Sequence, residues 1–157
     1  MVIGMDIFRR HFAGMEDSFA IIGGASCDLW FTHYGRRFRS TKDIDMVLVL
    51  EARHAGFLLH FWAFLRAGAY QIGQRADGRA TFFRFQHPAT AGYPKMIEVF
   101  STAPQNLEVP PDQNIVPIRA GEGVSSLSAI LLDPTYYAFV LGQREVVEGL
   151  PLIRPSG

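Results

Sequence analysis

Short apolar runs alternate with polar breaks along the chain, and the spacing inside each run separates helices from strands. Met5, Phe8, Phe12 and Met15 recur at helical intervals while Arg9, Arg10, His11 and Glu16 fall on other faces. This predicts an amphipathic first helix that stops near Asp17 and Ser18. Phe19 to Ile22 is uniformly apolar and ends in Gly23 and Gly24, the pattern of a buried strand that turns sharply at its C-terminal end. A second helix is expected through Leu29 and Trp30 to His33, broken by Gly35 and followed by a polar loop to Lys42.

Ile44 to Leu50 is the most hydrophobic and β-prone run, and it predicts a central strand. Ala52 to Ala67 repeats apolar residues at Phe57, Leu58, Phe61, Trp62 and Leu65, a helix facing the sheet with Gly68 as its stop. Tyr70 to Arg75 and Ala80 to Gln86 flank Ala76-Asp77-Gly78-Arg79, so an Asp-Gly turn joins two antiparallel strands. Met96 to Phe100 predicts a strand with Glu98 at its middle, and a proline-containing loop runs on through Pro110 and Pro111. Ser126 to Leu132 and Tyr136 to Leu141 read as strands, although Asp133-Pro134 would equally cap and start a helix. No closing element stands out around Leu152, Ile153 and Pro155.

The expected fold is therefore α/β (α+β): a mixed β-sheet flanked by helices, with additional C-terminal strands, in one domain over residues 1–157. Composition agrees, since 48% of the 157 residues are hydrophobic and 19% charged. A chain of this length buries roughly 70% of its unfolded surface and folds without disulfides. Fifteen Lys and Arg balance fifteen Asp and Glu, so no global field draws the protein to nucleic acid or membrane. The single cysteine, Cys27, excludes an intramolecular disulfide and has no zinc or redox spacing around it. With no signal-like N-terminus and no apolar run of the ~18 residues a spanning helix needs, a cytoplasmic protein is expected.

Candidate chemistry begins at Asp43-Ile44-Asp45. Strand side chains alternate, so both carboxylates project to one face while Ile44 points to the other. Such a pair repels itself unless a cation sits between, and hard oxygen donors suit Mg²⁺. Glu98, an acid inside an apolar strand, needs a partner or solvent and would complete the site. Solvated acids at a strand mouth are the alternative. Gly23 and Gly24 let the backbone turn tightly towards a ligand, and Ser26 adds a hydroxyl near helix N-terminal amides, together a small anion cradle. A bare Gly-Gly is more often only a turn. Arg36, Arg37, Arg39 and Lys42 crowd the loop before the acids; Arg39 and Lys42, with Thr41, are the candidates for phosphate contact, against a solvated basic loop. The five histidines show no pair at metal-ligand spacing.

Taken together, IIGGAS, TKDIDMVLVL and MIEVF resemble the nucleotidyltransferase superfamily, whose pattern is a Gly-Gly or Gly-Ser turn into a helix, an acid-x-acid strand and a third acid on a later strand. The likeness covers about Phe19 to Ser101 and looks closest to the bacterial and abortive-infection toxin branch. It implies that Asp43 and Asp45 bind metal ions, two Mg²⁺ in number, and that Glu98 is the third carboxylate that activates or orients an acceptor hydroxyl. It also implies a nucleoside triphosphate as substrate and a tRNA, a protein or a small molecule as acceptor. The helical C-terminal region common in the family is not recognisable, so a missing segment or a homodimer contact through Tyr136, Tyr137 and Phe139 is expected to complete the site. The other reading is a nucleotide-binding or partner-binding module of the same fold without turnover.

Overall fold

The computed structural model describes residues 3–35, 43–49, 55–74, 76–78, 80–102, 115–118 and 127–153. Helix α1 (Met5–His11) buries Met5 and Phe8, and Phe12 follows on the same stripe before a short 3₁₀ turn at Glu16–Ser18. Strand β1 (Phe19–Ile22) is buried on both faces, as its unbroken apolar sequence requires. Helix α2 (Gly23–His33) leaves it directly, and β2 (Asp43–Leu48) returns antiparallel to β1. Helix α3 (Ala55–Ala67) buries Phe57, Leu58, Phe61, Phe64 and Leu65.

Gly68 ends α3 for a reason the sequence does not announce. The left-handed residue is Ala69 (φ 53°), whose N–H bonds to Arg66 O while Tyr70 N–H bonds to Leu65 O, a Schellman closure. Gly68 is needed instead for space, because a Cβ there would stand 2.5 Å from the Tyr70 ring and 2.8 Å from the Tyr93 ring.

The hairpin β3 (Gln71–Gln74) and β4 (Ala80–Gln86) turns through Gly78 at φ +87°. Strand β5 (Met96–Ser101) pairs parallel with β2 and antiparallel with β4. Strands β6 (Ile115–Ile118) and β7 (Leu127–Leu131) form an antiparallel pair, and β7 adds to the far end of β5.

The segment read as a strand over Tyr136 to Leu141 is helical: α4 spans Pro134–Gln143. Asp133 decides this locally, since its carboxylate accepts the N–H groups of Thr135 (2.8 Å) and Tyr136 (3.2 Å), with Pro134 preset in the first turn. Tyr137 faces inward and is buried, so only Tyr136 and Phe139 remain of the expected aromatic contact surface. A closing element does exist, the hairpin β8 (Arg144–Val147) and β9 (Leu150–Ile153), turned by Glu148 and Gly149 at φ 51° and 81°. Strand β9 pairs parallel with β1.

The described residues thus form an α+β domain with an open mixed sheet of nine strands, ordered β3-β4-β5-β2-β1-β9-β8, with β7 and β6 attached at β5. One face carries the main core: Ile21, Ile44, Met46, Leu48, Ile97 and Val99 beneath α1 and α3. The other carries a smaller cluster in which Ala20, Ile22 and Val47 meet Tyr137 and Val140 of α4. No helix among the described residues is long and apolar enough to cross a membrane.

Candidate functional site

On the second face α4 packs against Ala20, Ile22 and Val47, and the acidic residues of that face lie towards the entry end of β2. Alternation along β2 puts Asp43 and Asp45 on the same side as Val47, with Ile44 and Met46 fully buried in the main core. Cross-strand register extends the row. Asp45 lies opposite Ile22 of β1 on one side and Glu98 of β5 on the other, and Glu98 lies opposite Arg84 of β4.

Electrostatics follow from this alignment. Burial chiefly, then the charge of Glu98, then that of Asp43, push the Asp45 carboxyl up to about 6. Glu98 is answered by Arg84, whose Nε and Nη2 both donate to Oε2, at 3.1 and 3.0 Å. The arginine was not singled out from sequence; its signal was an Arg at an alternating position in a Phe-rich strand, in register with an acid on the next. Among the described residues, no three His, Cys, Asp or Glu side chains converge closely enough to form a ligand set for a metal ion. Glu98 is in register with Asp45, but its Oε2 is held by the guanidinium.

Gly23 faces this row from the start of α2. Its φ is +69°, and a Cβ there would stand 3.1 Å from Asp45 Oδ2. The N-cap position, Ile22, offers no side-chain acceptor to the first turn of α2, in which Gly23 and Gly24 are both exposed.

Neither family models, curated proteins nor solved structures contain a match to this chain.

Ser26 does not join the cradle. It is buried, donates through Oγ to Ile153 O (3.1 Å) and accepts the Ile153 N–H (3.0 Å), while Trp30 Nε1 donates to the same carbonyl (2.8 Å). These bonds tie α2 to β9, a tertiary use that local sequence does not reveal. Arg36, Arg37, Arg39, Thr41 and Lys42 lie outside the described residues. His11 and His60 stack at 3.9 Å between ring centroids, with each ring bonded through Nε2 to the other's main-chain carbonyl.

The row thus brings onto one sheet face two carboxylates from one strand and a third in register with Asp45, oxygen donors of the hard kind that divalent cations take, with Gly23 beside Asp45 Oδ2.

Proposed function

We propose that this site performs Mg²⁺-dependent nucleotidyl transfer, moving a nucleoside monophosphate from a triphosphate to an acceptor hydroxyl. The observation that carries the reading is the juxtaposition of Gly23 with Asp45 Oδ2, at the point where Asp45 is in register with Glu98. A glycine turn into a helix, beside paired acids, supplies both phosphate donors and metal ligands. The nucleotidyltransferase-like arrangement of the sheet belongs to the same proposal.

In this reading Asp43 and Asp45 hold the metal, and the amides of Gly23 and Gly24 receive the outer phosphates. Bound there, two Mg²⁺ ions would polarise the α-phosphate and offset charge on departing pyrophosphate. Glu98 orients the acceptor hydroxyl and takes its proton as the acceptor oxygen bonds to the α-phosphorus and the bond to pyrophosphate breaks. Arg39, Thr41 and Lys42 contribute further phosphate contacts. The acceptor is a tRNA, a protein or a small molecule, and the setting is cytoplasmic. Exposed Tyr136 and Phe139, stacked at 6.3 Å, are the proposed contact of a twofold dimer, for which sedimentation at several concentrations is the test.

One observation favours a second reading, a nucleotide-binding module without turnover: Glu98 is already neutralised by Arg84. Incubation with each triphosphate and Mg²⁺, monitored for pyrophosphate release with candidate acceptors, separates the two. Release supports transfer, and triphosphate binding without release supports the module.

A further inference from the structure

We propose that strand β8 is a docking edge for a second copy of this chain, the two β8 strands pairing antiparallel about a twofold axis at Val146. This surface is separate from the metal–triphosphate site and from the Tyr136 and Phe139 contact on α4.

Strand β8 ends the strand order at one side of the sheet, with β9 as its neighbour among the described residues. The hairpin decides which of its main-chain groups point outward. Glu148 and Gly149 both have positive φ, 51° and 81°, so the two-residue turn is of type I′, and Val147 and Leu150 exchange hydrogen bonds across it. Antiparallel pairs alternate. Glu145 and Leu152 therefore form the next bonded pair, while Val146 with Pro151 and Arg144 with Ile153 form unbonded ones. Two observations agree with this phase. Pro151 has no N–H to give to β8, and the N–H and carbonyl of Ile153 are both engaged by Ser26 and Trp30 of α2. The main-chain N–H and C=O groups of Arg144 and Val146 thus point away from β9, to the open edge.

Sheet edges are usually blunted by proline, lysine or a bulge. At the other side of the sheet β3 has its bulge, where the register shifts between Ile72 and Gly73. The β8 sequence, REVV, has an even register with β9 and neither proline nor lysine, and Val146 is 56% exposed.

Twofold pairing through the outward groups of Arg144 and Val146 allows three registers. Arg144 opposite its own copy brings two guanidinium charges together. Arg144 opposite Val146 sets Glu145 against Glu145 of the second copy. Like charges directly opposite disfavour both. Val146 opposite Val146 joins two exposed apolar side chains, forms reciprocal N–H···O bonds on the axis, and sets Arg144 opposite Glu148 of the second copy, twice. Glu148 is exposed, and its contact with His33 at 3.8 Å carries charge only when the histidine is protonated. Arg144 is oriented by donation from Nη1 to Asp17 O (3.0 Å), and its guanidinium has further N–H donors. This self-complementarity is the ground for naming a second copy as the occupant and not a strand of another protein. With four residues in β8 the contact is small, so association is expected in the micromolar range, on the order of 10–100 µM.

Sedimentation of the parent, V146P, E148K and F139S across about 1–500 µM tests this. Proline at 146 removes no bond to β9 but deletes both reciprocal N–H donors on the axis, so V146P is expected to melt close to the parent and to dimerise at least about tenfold more weakly. E148K sets like charges opposite Arg144 and is expected to weaken the dimer about tenfold, whereas F139S keeps it. Val146→Cys reads the register: paired residues there have Cα atoms about 5.5 Å apart, within disulfide reach, so oxidation is expected to give a covalent dimer that the parent, with Cys27 alone, does not form. A parent that stays monomeric throughout, or a dimer kept in V146P and lost in F139S, overturns the proposal. Absence of the covalent dimer from a protein that dimerises overturns it as well. Should V146P not fold, V146K carries the test: two ammonium groups would meet on the axis, and parental dimer affinity refutes the pairing. Mg²⁺-dependent triphosphate binding, measured by calorimetry, stands or falls separately.

Discussion

Gly23 stands against Asp45 so closely that a Cβ at position 23 would lie 3.1 Å from Oδ2. Its φ of +69° adds a second constraint, because side chains with a Cβ adopt that region at a cost of roughly 1–2 kcal/mol. Gly23→Ala is expected to lower the melting temperature by about 2–8 °C and to weaken metal–triphosphate binding well beyond that loss of stability. Thermal melts paired with calorimetry check it, and parental affinity in a folded Gly23→Ala protein would remove Gly23 from the site.

Asp45 gives a pH dependence of opposite sign to that of a salt-bridged acid. Its carboxyl lies at about 6 in the fold against an ordinary 3.8, raised by burial and then by Glu98 and Asp43. Above pH 6 it is charged in both folded and unfolded chains, and the full unfavourable contribution is present. As pH falls from 6 towards 3.8 the folded protein takes up the proton first, so this group's contribution moves in favour of folding. Asp45→Asn is expected to melt higher than the parent at pH 8, with the difference narrowing towards pH 4. A lower melting temperature at pH 8 would show that the charge is compensated in the fold.

The stacked His11 and His60 pull the other way. Burial lowers the His11 pKa below its ordinary 6.5, the bond to His60 O opposes this, and the charge of the His60 ring adds to it. The unfolded chain therefore takes up the proton first on acidification. This stabilising contribution is present above pH 6.5 and is lost as pH falls below it towards the folded value. Melting curves at pH 7.5 and 5.5 are expected to separate more in the parent than in His11→Gln; equal separation would exclude His11 as the source.

Helix α4 depends on a cap that lies outside the site. Asp133→Ala leaves the Thr135 and Tyr136 amides without their acceptor and is expected to cost about 1 kcal/mol, or roughly 2–4 °C in a chain of this size. Metal and triphosphate affinities should be unaffected. A change in either would show that α4 supports the acid row.

β1, β2 and α3 were legible because each carries one clear signal: β1 unbroken and apolar, β2 a β-prone apolar run behind Asp43-Ile44-Asp45, α3 with its aromatic stripe. Register was not legible, yet register is what puts Asp45 beside Glu98 and Glu98 beside Arg84. The C-terminal part misled because Tyr136 to Leu141 is apolar on most sides, so period alone could not separate helix from strand, and the Asp133 cap decided it. Hairpin β8–β9 was hidden by its brevity and by Pro151, which sits opposite Val146. Ser26 was misread because its partner, Ile153, is 127 positions away in the chain.

Calorimetric titration with each nucleoside triphosphate, with and without Mg²⁺, in the parent and in Asp45→Asn, tests the metal–triphosphate site most directly. The expected result is Mg²⁺-dependent binding in the parent and none in Asp45→Asn, although the variant is folded and melts no lower at neutral pH. Equal Mg²⁺-dependent affinity in the two proteins would contradict a metal role for Asp45 and, with it, the nucleotidyl-transfer site.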